Sequence, residues 1–416
     1  MEKYALTDAR KRLIQTEALR ACGIRPKDRI LVAFSGGADS TALLLSLEEL
    51  LQEGAFSALF AAHLDHGIRG ETAEADRLWC ESFCRLRGIP FQSERADTPQ
   101  LAKDAGMTLE EAARALRYDF LERALQRFAA DYVAVAHQRD DQAETVLLHL
   151  LRGCGTAGLG GMKRRAGTIV RPLLDVSRAE VEAYLASRGA DYRVDETNAR
   201  DFALRNRLRN ELLPAMRAYQ PRVSEALCRT AALCAEDEDY LSALANEAGR
   251  RLRDGDGFER RALAALPKPL SSRIVRAALL ALSGDVTEAD VRRVLALSVA
   301  RTGTRIELAG GFSAWVDAWT LHIGVYPAML SFEVPFCRFG ETHTPAGMLV
   351  SERVAQYRTP QDGQEAFLAL EALPEGLVVR TRRAGDRFFP LGAPGERKLS
   401  DVLTDRKIPR EHRDLP

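Results

Sequence analysis

The hexapeptide Ser35-Gly36-Gly37-Ala38-Asp39-Ser40 follows the short apolar run Ile30 to Phe34 and precedes a stretch of helical character, Ser40 to Leu51. A glycine turn between a strand and a helix is suited to phosphate. Glycine lets the backbone turn tightly and bring its N–H groups close to an anion, the hydroxyls of Ser35 and Ser40 add donors, and the helix N-terminus contributes partial positive charge. The lysine of a Walker A loop is missing, and neither GxGxxG nor GxSxG occurs. An ordinary turn with Asp39 as the helix cap is the competing reading of the same residues.

Further polar clusters close other apolar runs. His63-Leu64-Asp65-His66-Gly67-Ile68-Arg69 ends the run that starts at Ala58, and His137-Gln138-Arg139-Asp140-Asp141-Gln142-Ala143-Glu144-Thr145 follows Tyr132 to Ala136. His137 and Asp141 are four apart, as are Asp140 and Glu144, so a helix stacks these groups on adjacent faces directed at one spot. Carboxylates there could hold Mg2+ beside a triphosphate; alternatively Asp140 or Asp141 caps the helix and His137 is a satisfied polar residue. His63 and His66 lack a third and fourth ligand at usable spacing for zinc. The seven cysteines are scattered without a CxxC pair, which argues against a disulfide framework or zinc ribbon and for a reducing, cytoplasmic setting. Cys80 and Cys84, four apart, read as core.

The elements that must carry these clusters alternate. Helices are expected from about Glu71 to Arg87, from the capping box Thr108/Glu111 to about Ala130, and from Asp140 to Leu151; strands are expected at Ile89–Phe91 and Tyr132–Ala136. Such alternation implies parallel strands joined by right-handed crossovers, an α/β doubly wound sheet that binds ligands at the carboxyl ends of its strands. Beyond Gly153 to Gly161 the texture is mostly helical from Ser177 to Leu297, with breaks at Pro214, Pro221, Asp254 to Gly257 and Pro267 to Pro269. From Arg305 it turns to the alternation of a β-rich region, while Ser331 to Gln364 resists assignment. Apolar helix faces between residues 222 and 300 could serve a homodimer or a core.

The 59 basic and 59 acidic residues cancel, and 46% of the 416 residues are hydrophobic. That balance excludes a disordered tail protein and a collagen-like chain. It does not exclude nucleic acid, because the field that attracts phosphate is local. Basic residues cluster at Lys163 to Arg165, at Arg200, Arg205, Arg207 and Arg209, and at Arg380, Arg382, Arg383 and Arg387. No signal-peptide core and no apolar stretch of about 18 residues is visible, so no membrane association is expected.

The SGGxDS hexapeptide resembles the signature of the PP-loop ATP pyrophosphatases, which cleave ATP between the α and β phosphates and adenylate a substrate. The later stretches narrow this. Leu64 to Arg69, Ala113 to Tyr118, His137 to Thr145, Leu151-Arg152-Gly153, Arg171-Pro172-Leu173-Leu174, Asp195-Glu196-Thr197-Asn198 and Arg205 to Arg209 resemble, in order, the tRNA(Ile)-lysidine synthetases. Arg382 to Phe388 and Lys398 to Asp401 look like that family's C-terminal domain, although the chain stops at Asp414-Leu415-Pro416 where members continue for several strands, so a truncated C-terminal domain is expected.

The resemblance implies an adenine nucleotide alpha hydrolase-like catalytic domain over residues 1–215, a mainly helical tRNA-contacting domain over 216–325, and an α+β tRNA-binding domain over 326–416. It implies ATP and Mg2+, with Ser35, Gly36, Gly37, Ala38, Asp39, Ser40, His63 and Asp65 at the nucleotide and Asp39 and Asp141 at the metal. Asp39, Arg114, His137, Asp140, Asp141 and Glu144 would act in catalysis, with Arg117 and Arg205 as further donors to developing charge. Arg205, Arg207, Arg209, Arg382 and Arg383 would contact RNA. The reaction implied attaches free L-lysine to the wobble cytidine of a tRNA(Ile) with a CAU anticodon. Two rivals are a PP-loop tRNA 2-thiolation enzyme, which needs reactive cysteines, and a non-catalytic tRNA-binding protein, which would tolerate damage to the loop or the HxxDD cluster.

Overall fold

The computed structural model describes residues 12–68, 71–193, 203–282, 284, 286–327, 331–360, 365–390, 395–406 and 408. The Asp195-Glu196-Thr197-Asn198 motif, Arg69, Arg200 and the last eight residues lie outside them. Two compact units divide the chain, residues 1–239 and 240–416.

In the first unit, α1 (Thr16–Ala21) leads to β1 (Arg29–Ala33), α2 (Ala38–Gln52), β2 (Ala58–Asp65), α3 (Glu71–Leu86) and β3 (Phe91–Arg95). Then come α4 (Thr98–Ala105), α5 (Leu109–Arg127), β4 (Tyr132–Ala134) and α6 (Arg139–Arg152). A short α7 (Thr156–Leu159) precedes the hairpin β5 (Arg165–Ala166) and β6 (Ile169–Val170). The strands lie in the order β3-β2-β1-β4-β6-β5, all parallel except the outer β5. This is the doubly wound α/β sheet the alternation implies. The chain leaves β1 in one direction toward β2 and β3 and returns on its other side as β4, so the topological switch lies between β1 and β4.

Both faces of the sheet are covered, which is why β1 reads as a continuous apolar run. Ile30, Val32 and Phe34 pack with Leu43, Leu44 and Leu47 of α2 and Cys80 and Cys84 of α3; Leu31, Phe60 and Val133 pack with Phe120, Leu121 and Ala124 of α5. Each fully buried leucine contributes about 1.5–3 kcal/mol relative to exposure. Thr108 caps α5 with the reciprocal Thr108/Glu111 bonds of a capping box, as expected. The third strand begins at Phe91, later than the sequence suggests, because Pro90 has no N–H to donate and the Ile89 amide closes the end of α3 on the Cys84 carbonyl, 3.0 Å away.

Helices after the sheet return to it. α8 (Arg178–Ser187) lays Val181, Tyr184 and Leu185 on Ala38, Ala42 and Leu45 of α2. α9 (Ala203–Arg207) runs into a π-helical turn, Leu208–Leu212, then α10 (Leu213–Tyr219) and α11 (Val223–Arg251). The turn widens just before Pro214, which has no N–H for an α-helical bond. Leu208, Leu213 and Val223 pack on Ala143 and Leu147 of α6.

The second unit pairs β7 (Arg253–Asp254), β8 (Gly257–Glu259), β9 (Arg305–Glu307), β10 (Ser313–Val316) and β11 (Thr320–Gly324) in an antiparallel sheet. Asp254 to Gly257, which the sequence marks as a break in a helical stretch, forms the β7–β8 hairpin. The apolar residues of α12 (Lys268–Leu280) and α13 (Glu288–Leu297), among them Ile274, Val275, Leu279, Val291 and Val294, pack with Phe258, Val316 and Leu321 in this unit's own core. On the sheet, His322 stacks on Trp315 with ring centroids 5.0 Å apart and bonds Asp256 through Nδ1 (2.8 Å) and Asp317 through Nε2 (3.0 Å). The stretch from Ser331 that resisted assignment holds strands Glu333–Pro335, Gly340–Thr344 and Gly347–Ser351. Among the described residues, no helix is long and apolar enough to cross a membrane.

Candidate functional site

The glycine turn and the HQRDD stretch leave the two strands that flank the topological switch. Val32 pairs with Ala134, so Ser35 and His137 each lie three residues past a paired position on neighbouring strands. Gly36 holds φ +83°, and a Cβ there would stand 3.0 Å from Cys80 Sγ. Its carbonyl accepts from the Arg193 amide (2.9 Å) and from Thr41 Oγ1 (3.3 Å), which pins the turn. The helix begins at Ala38 with Gly37 as its cap and no side-chain cap bond, so Asp39 stands in the first turn and is not the capping residue. The Thr41 amide reaches the Gly37 carbonyl at 2.9 Å, while those of Ala38, Asp39 and Ser40 precede any intrahelical acceptor. Ser35 Oγ and Ser40 Oγ lie 3.1 Å apart. Backbone donors, two hydroxyls and a helix dipole thus converge as phosphate binding requires.

Four carboxylates gather around this turn, and each meets an arginine from downstream. The packing of α8 on α2 brings Arg178 Nη1 to 2.8 Å from Asp39 Oδ2. The packing of the π-turn and α10 on α6 does the same for the others. Arg209 donates from Nε to Glu144 Oε1 (2.6 Å) and from Nη2 to Asp141 Oδ1 (3.0 Å); Arg205 Nε lies 3.3 Å from Glu144 Oε2. Arg217 Nη2 and Ser224 Oγ both donate to Asp140 Oδ1, at 2.7 and 3.0 Å. Glu144 is 1% exposed, and Arg205 and Arg209 are the guanidinium groups it pairs with among the described residues.

Asp141 also serves locally: its Oδ2 accepts from the Gln138 amide at 3.0 Å and completes a capping box. The capping reading of this residue therefore holds on one oxygen, while the other pairs with Arg209. Gln142 grips Met162 through its N–H (2.7 Å) and C=O (3.1 Å). Gly161, at φ +61°, is the partner that lets the amide in, since a Cβ there would lie 2.8 Å from it.

Burial pushes the Asp39 carboxyl up to about 6, with Arg178 opposing the rise and the Asp141 charge adding to it. Its Oδ1 is buried without a hydrogen-bond partner among the described residues. An orphaned, destabilised carboxylate beside a phosphate-type turn fits a divalent cation, which would restore its charge. No group of three or more His, Cys, Asp or Glu side chains is arranged for a metal among the described residues.

The remaining candidates divide. His63 is buried, its Nδ1 3.0 Å from the Phe34 carbonyl, and burial lowers its pKa; Asp65 accepts from the Gly67 amide at 2.8 Å and shapes the end of β2. Arg117 Nη2 reaches His66 Nε2 at 3.3 Å, and Arg114 lies over the Tyr118 ring. Arg171 Nε donates to His137 Nδ1 at 3.3 Å. Arg205 and Arg209 turn inward to Glu144, whereas Arg207 faces out and pairs with Glu211 at 3.3 Å. Arg383 pairs with Glu333 in the second unit. The sequence reading missed Arg178, Arg217 and Ser224: nothing in their spacing signals a partner 139, 77 or 84 residues away. Cys80 and Cys84 are buried, which raises both thiols, Cys84 to about 12, so neither is poised for sulfur chemistry.

Comparison with known proteins gives the same picture. A PP-loop domain model matches residues 8–216, and the TilS substrate C-terminal domain model matches residues 377–416. The tRNA(Ile)-lysidine synthase of Geobacter sulfurreducens is 36% identical, with 94% of this chain and 86% of that protein covered. That of Symbiobacterium thermophilum is 36% identical over 94% and 87%, and that of Geobacillus kaustophilus 34% identical over 92% and 86%.

Proposed function

Because this chain belongs to the tRNA(Ile)-lysidine synthase family, whose members are PP-loop, ATP-using ligases, we propose that it joins free L-lysine to C2 of the wobble cytidine of a tRNA(Ile) with a CAU anticodon. In the first half-reaction the cytosine O2 forms a bond to the α-phosphorus of ATP, and the bond to pyrophosphate breaks. In the second the lysine ε-amine bonds to C2, the C2–O bond to AMP breaks, and the amine gives up a proton. The observation that supports this most directly is the meeting of a phosphate-type turn and four carboxylates at the switch point of the sheet. The turn receives the departing pyrophosphate, and the carboxylates recognise an amine.

Asp39 and Asp141 would hold Mg2+, which when bound neutralises triphosphate charge. Arg114, Arg117 and Arg205 supply donors to the charge that develops during adenylation. Asp140, Asp141 and Glu144 receive the ammonium groups of lysine, and one of them takes the proton the amine must lose before attack. The wobble base is unpaired in an anticodon loop and can be splayed into the crevice. Arg207, Arg382 and Arg383 are assigned to the RNA backbone; Arg205 and Arg209, engaged by Glu144, are assigned to the reaction centre. The division into residues 1–215, 216–325 and 326–416 belongs to the same proposal, with the last two contacting tRNA.

The test follows AMP and pyrophosphate release together with incorporation of labelled lysine into a tRNA(Ile) transcript, beside controls lacking lysine, lacking tRNA or carrying uridine at the wobble position. Release that depends on the cytidine, with lysine covalently on the RNA, is the expected result. ATP cleavage without lysine incorporation would leave the nucleotide site standing and remove the substrate assignment.

A further inference from the structure

An arginine side chain has only N–H groups to offer, so any nitrogen it bonds must present a lone pair. Arg171 lies just past β6, the strand beside β4, and is buried. Its Nη1 donates to the Lys163 carbonyl at 2.8 Å and its Nε donates to His137 Nδ1 at 3.3 Å. The Nδ1 lone pair is therefore committed, and the imidazole proton must reside on Nε2. The Nδ1–H tautomer would set two N–H groups head to head, and so would the imidazolium. His137 Nε2 makes no hydrogen bond among the described residues and is left for a ligand.

We propose that Arg171 is a positioning residue that locks His137 as the Nε2–H tautomer, and that His137 serves adenylation as a neutral hydrogen-bond donor to a phosphate oxygen of ATP, not as a base. No proton moves in this role: the imidazole keeps its Nε2–H throughout. Location favours phosphate, because His137 and the glycine turn extend the two strands that flank the switch point. The electrostatics agree. Burial holds the imidazole pKa down to about 4, with Arg171, Arg205 and Arg117 opposing a positive ring and Asp141 favouring one. A base at this position would need the lone pair that Arg171 has pushed to the other nitrogen. The phosphate contact rests on the ATP-using reading above; the tautomer does not.

The test separates the two. Nitrogen-15 NMR of the histidine side chains in the full chain, with His137→Gln identifying the signal, should show His137 protonated on Nε2 alone from pH 6 to 8. Arg171→Met should release it to a mixture of the two neutral tautomers, and Arg171→Lys, which keeps a donor, should restore much of the Nε2–H form. ATP with Mg2+, without tRNA, should shift the Nε2 signal. In AMP release, Gln places its amide N–H near where Nε2 stood and should retain activity within about 10-fold, whereas His137→Ala should lose about 100-fold, the usual effect of one lost oxyanion donor. A wild-type His137 found protonated on Nδ1, or charged at neutral pH, would overturn the lock. A signal unmoved by ATP, or a His137→Gln enzyme as impaired as His137→Ala, would overturn the donor role. Failure to incorporate lysine would count against the substrate assignment alone, since the tautomer and the ATP response are read without it.

Discussion

Replacing Asp39 by asparagine should stabilise the ligand-free protein while abolishing ATP turnover. Asp39 ionises near pH 6 in the folded chain against an ordinary value of 3.8. For an acid so raised, the native state holds its proton more tightly than the unfolded chain, so the associated stability is fully present below about pH 4 and is lost as pH rises through about 6. At about 1.4 kcal/mol per pH unit, a gap of about two units costs the folded state roughly 3 kcal/mol at pH 8. Asparagine never ionises and avoids that cost. The attraction of Arg178 is already contained in that raised value, so the net gain is about 3 kcal/mol, or about 6–12 °C in melting temperature for a unit of this size. Thermal melts of both proteins from pH 4 to pH 8.5 without nucleotide measure it. The difference should be small or slightly negative at pH 4 and grow to a plateau above pH 7, and ATP with Mg2+ should raise the melting temperature of the parent alone. A difference that is flat with pH, or a variant less stable than its parent at pH 8, would refute the claim that Asp39 is held ionised at a cost.

Glu144→Ala should destabilise by about 2 kcal/mol in urea unfolding, less than the 3–5 kcal/mol of a fully buried pair because Arg205 and Arg209, at 40% and 51% exposed, can turn toward water; an unchanged midpoint would mean that the cluster contributes nothing to folding. Gly36→Ala should cost about 1–3 kcal/mol and weaken ATP binding measured by calorimetry, since it forces a Cβ into the left-handed region against Cys80; wild-type affinity would show that the turn tolerates reshaping. For His322, burial lowers the pKa, but the bonds to Asp317 and Asp256 outweigh it and raise the value. The stability it adds is fully present below its ordinary value of 6.5 and fades as pH rises through the folded one. The advantage of the parent over His322→Gln in thermal melts should therefore shrink above neutral pH, and a gap that widens would reverse the assignment.

Much of the sheet could be read from local chemistry. β1, β2 and β4 announce themselves as apolar runs because both faces of the sheet are covered, and Thr108 with Glu111 fixes the start of α5. The edge strand β3 is harder to see: Gln92, Ser93 and Glu94 carry no apolar alternation, because an edge half open to water does not demand one. Helix α4 was missed although Asp97, Pro99 and Gly106 supply a cap, a first-turn proline and a left-handed stop. Its mixed composition gives those signals no apolar stripe to frame. In the site, the glycine turn and the acidic cluster are legible because their ligand-facing atoms are adjacent in sequence. Arg178, Arg205, Arg209 and Arg217 are not legible as partners, because the pairing is made by Leu185 on Leu45 and Leu208 on Leu147, contacts set by tertiary packing.

The direction of that pairing bears on how the first unit can be cut or built. Every carboxylate of the crevice sits upstream of residue 145 and every guanidinium that neutralises it sits between Arg178 and Arg217, with Ser224 beyond. A fragment ending after β6 would keep all six strands and still gather four acidic groups, one of them sealed from water, without the arginines that bond them. Self-repulsion would then oppose the close approach of α2 and α6 that the sheet imposes. The smallest autonomous nucleotide-binding piece of this chain is thus set by charge, not by strand count, and must extend at least through Ser224. During synthesis the crevice should stay loose until those arginines have left the ribosome.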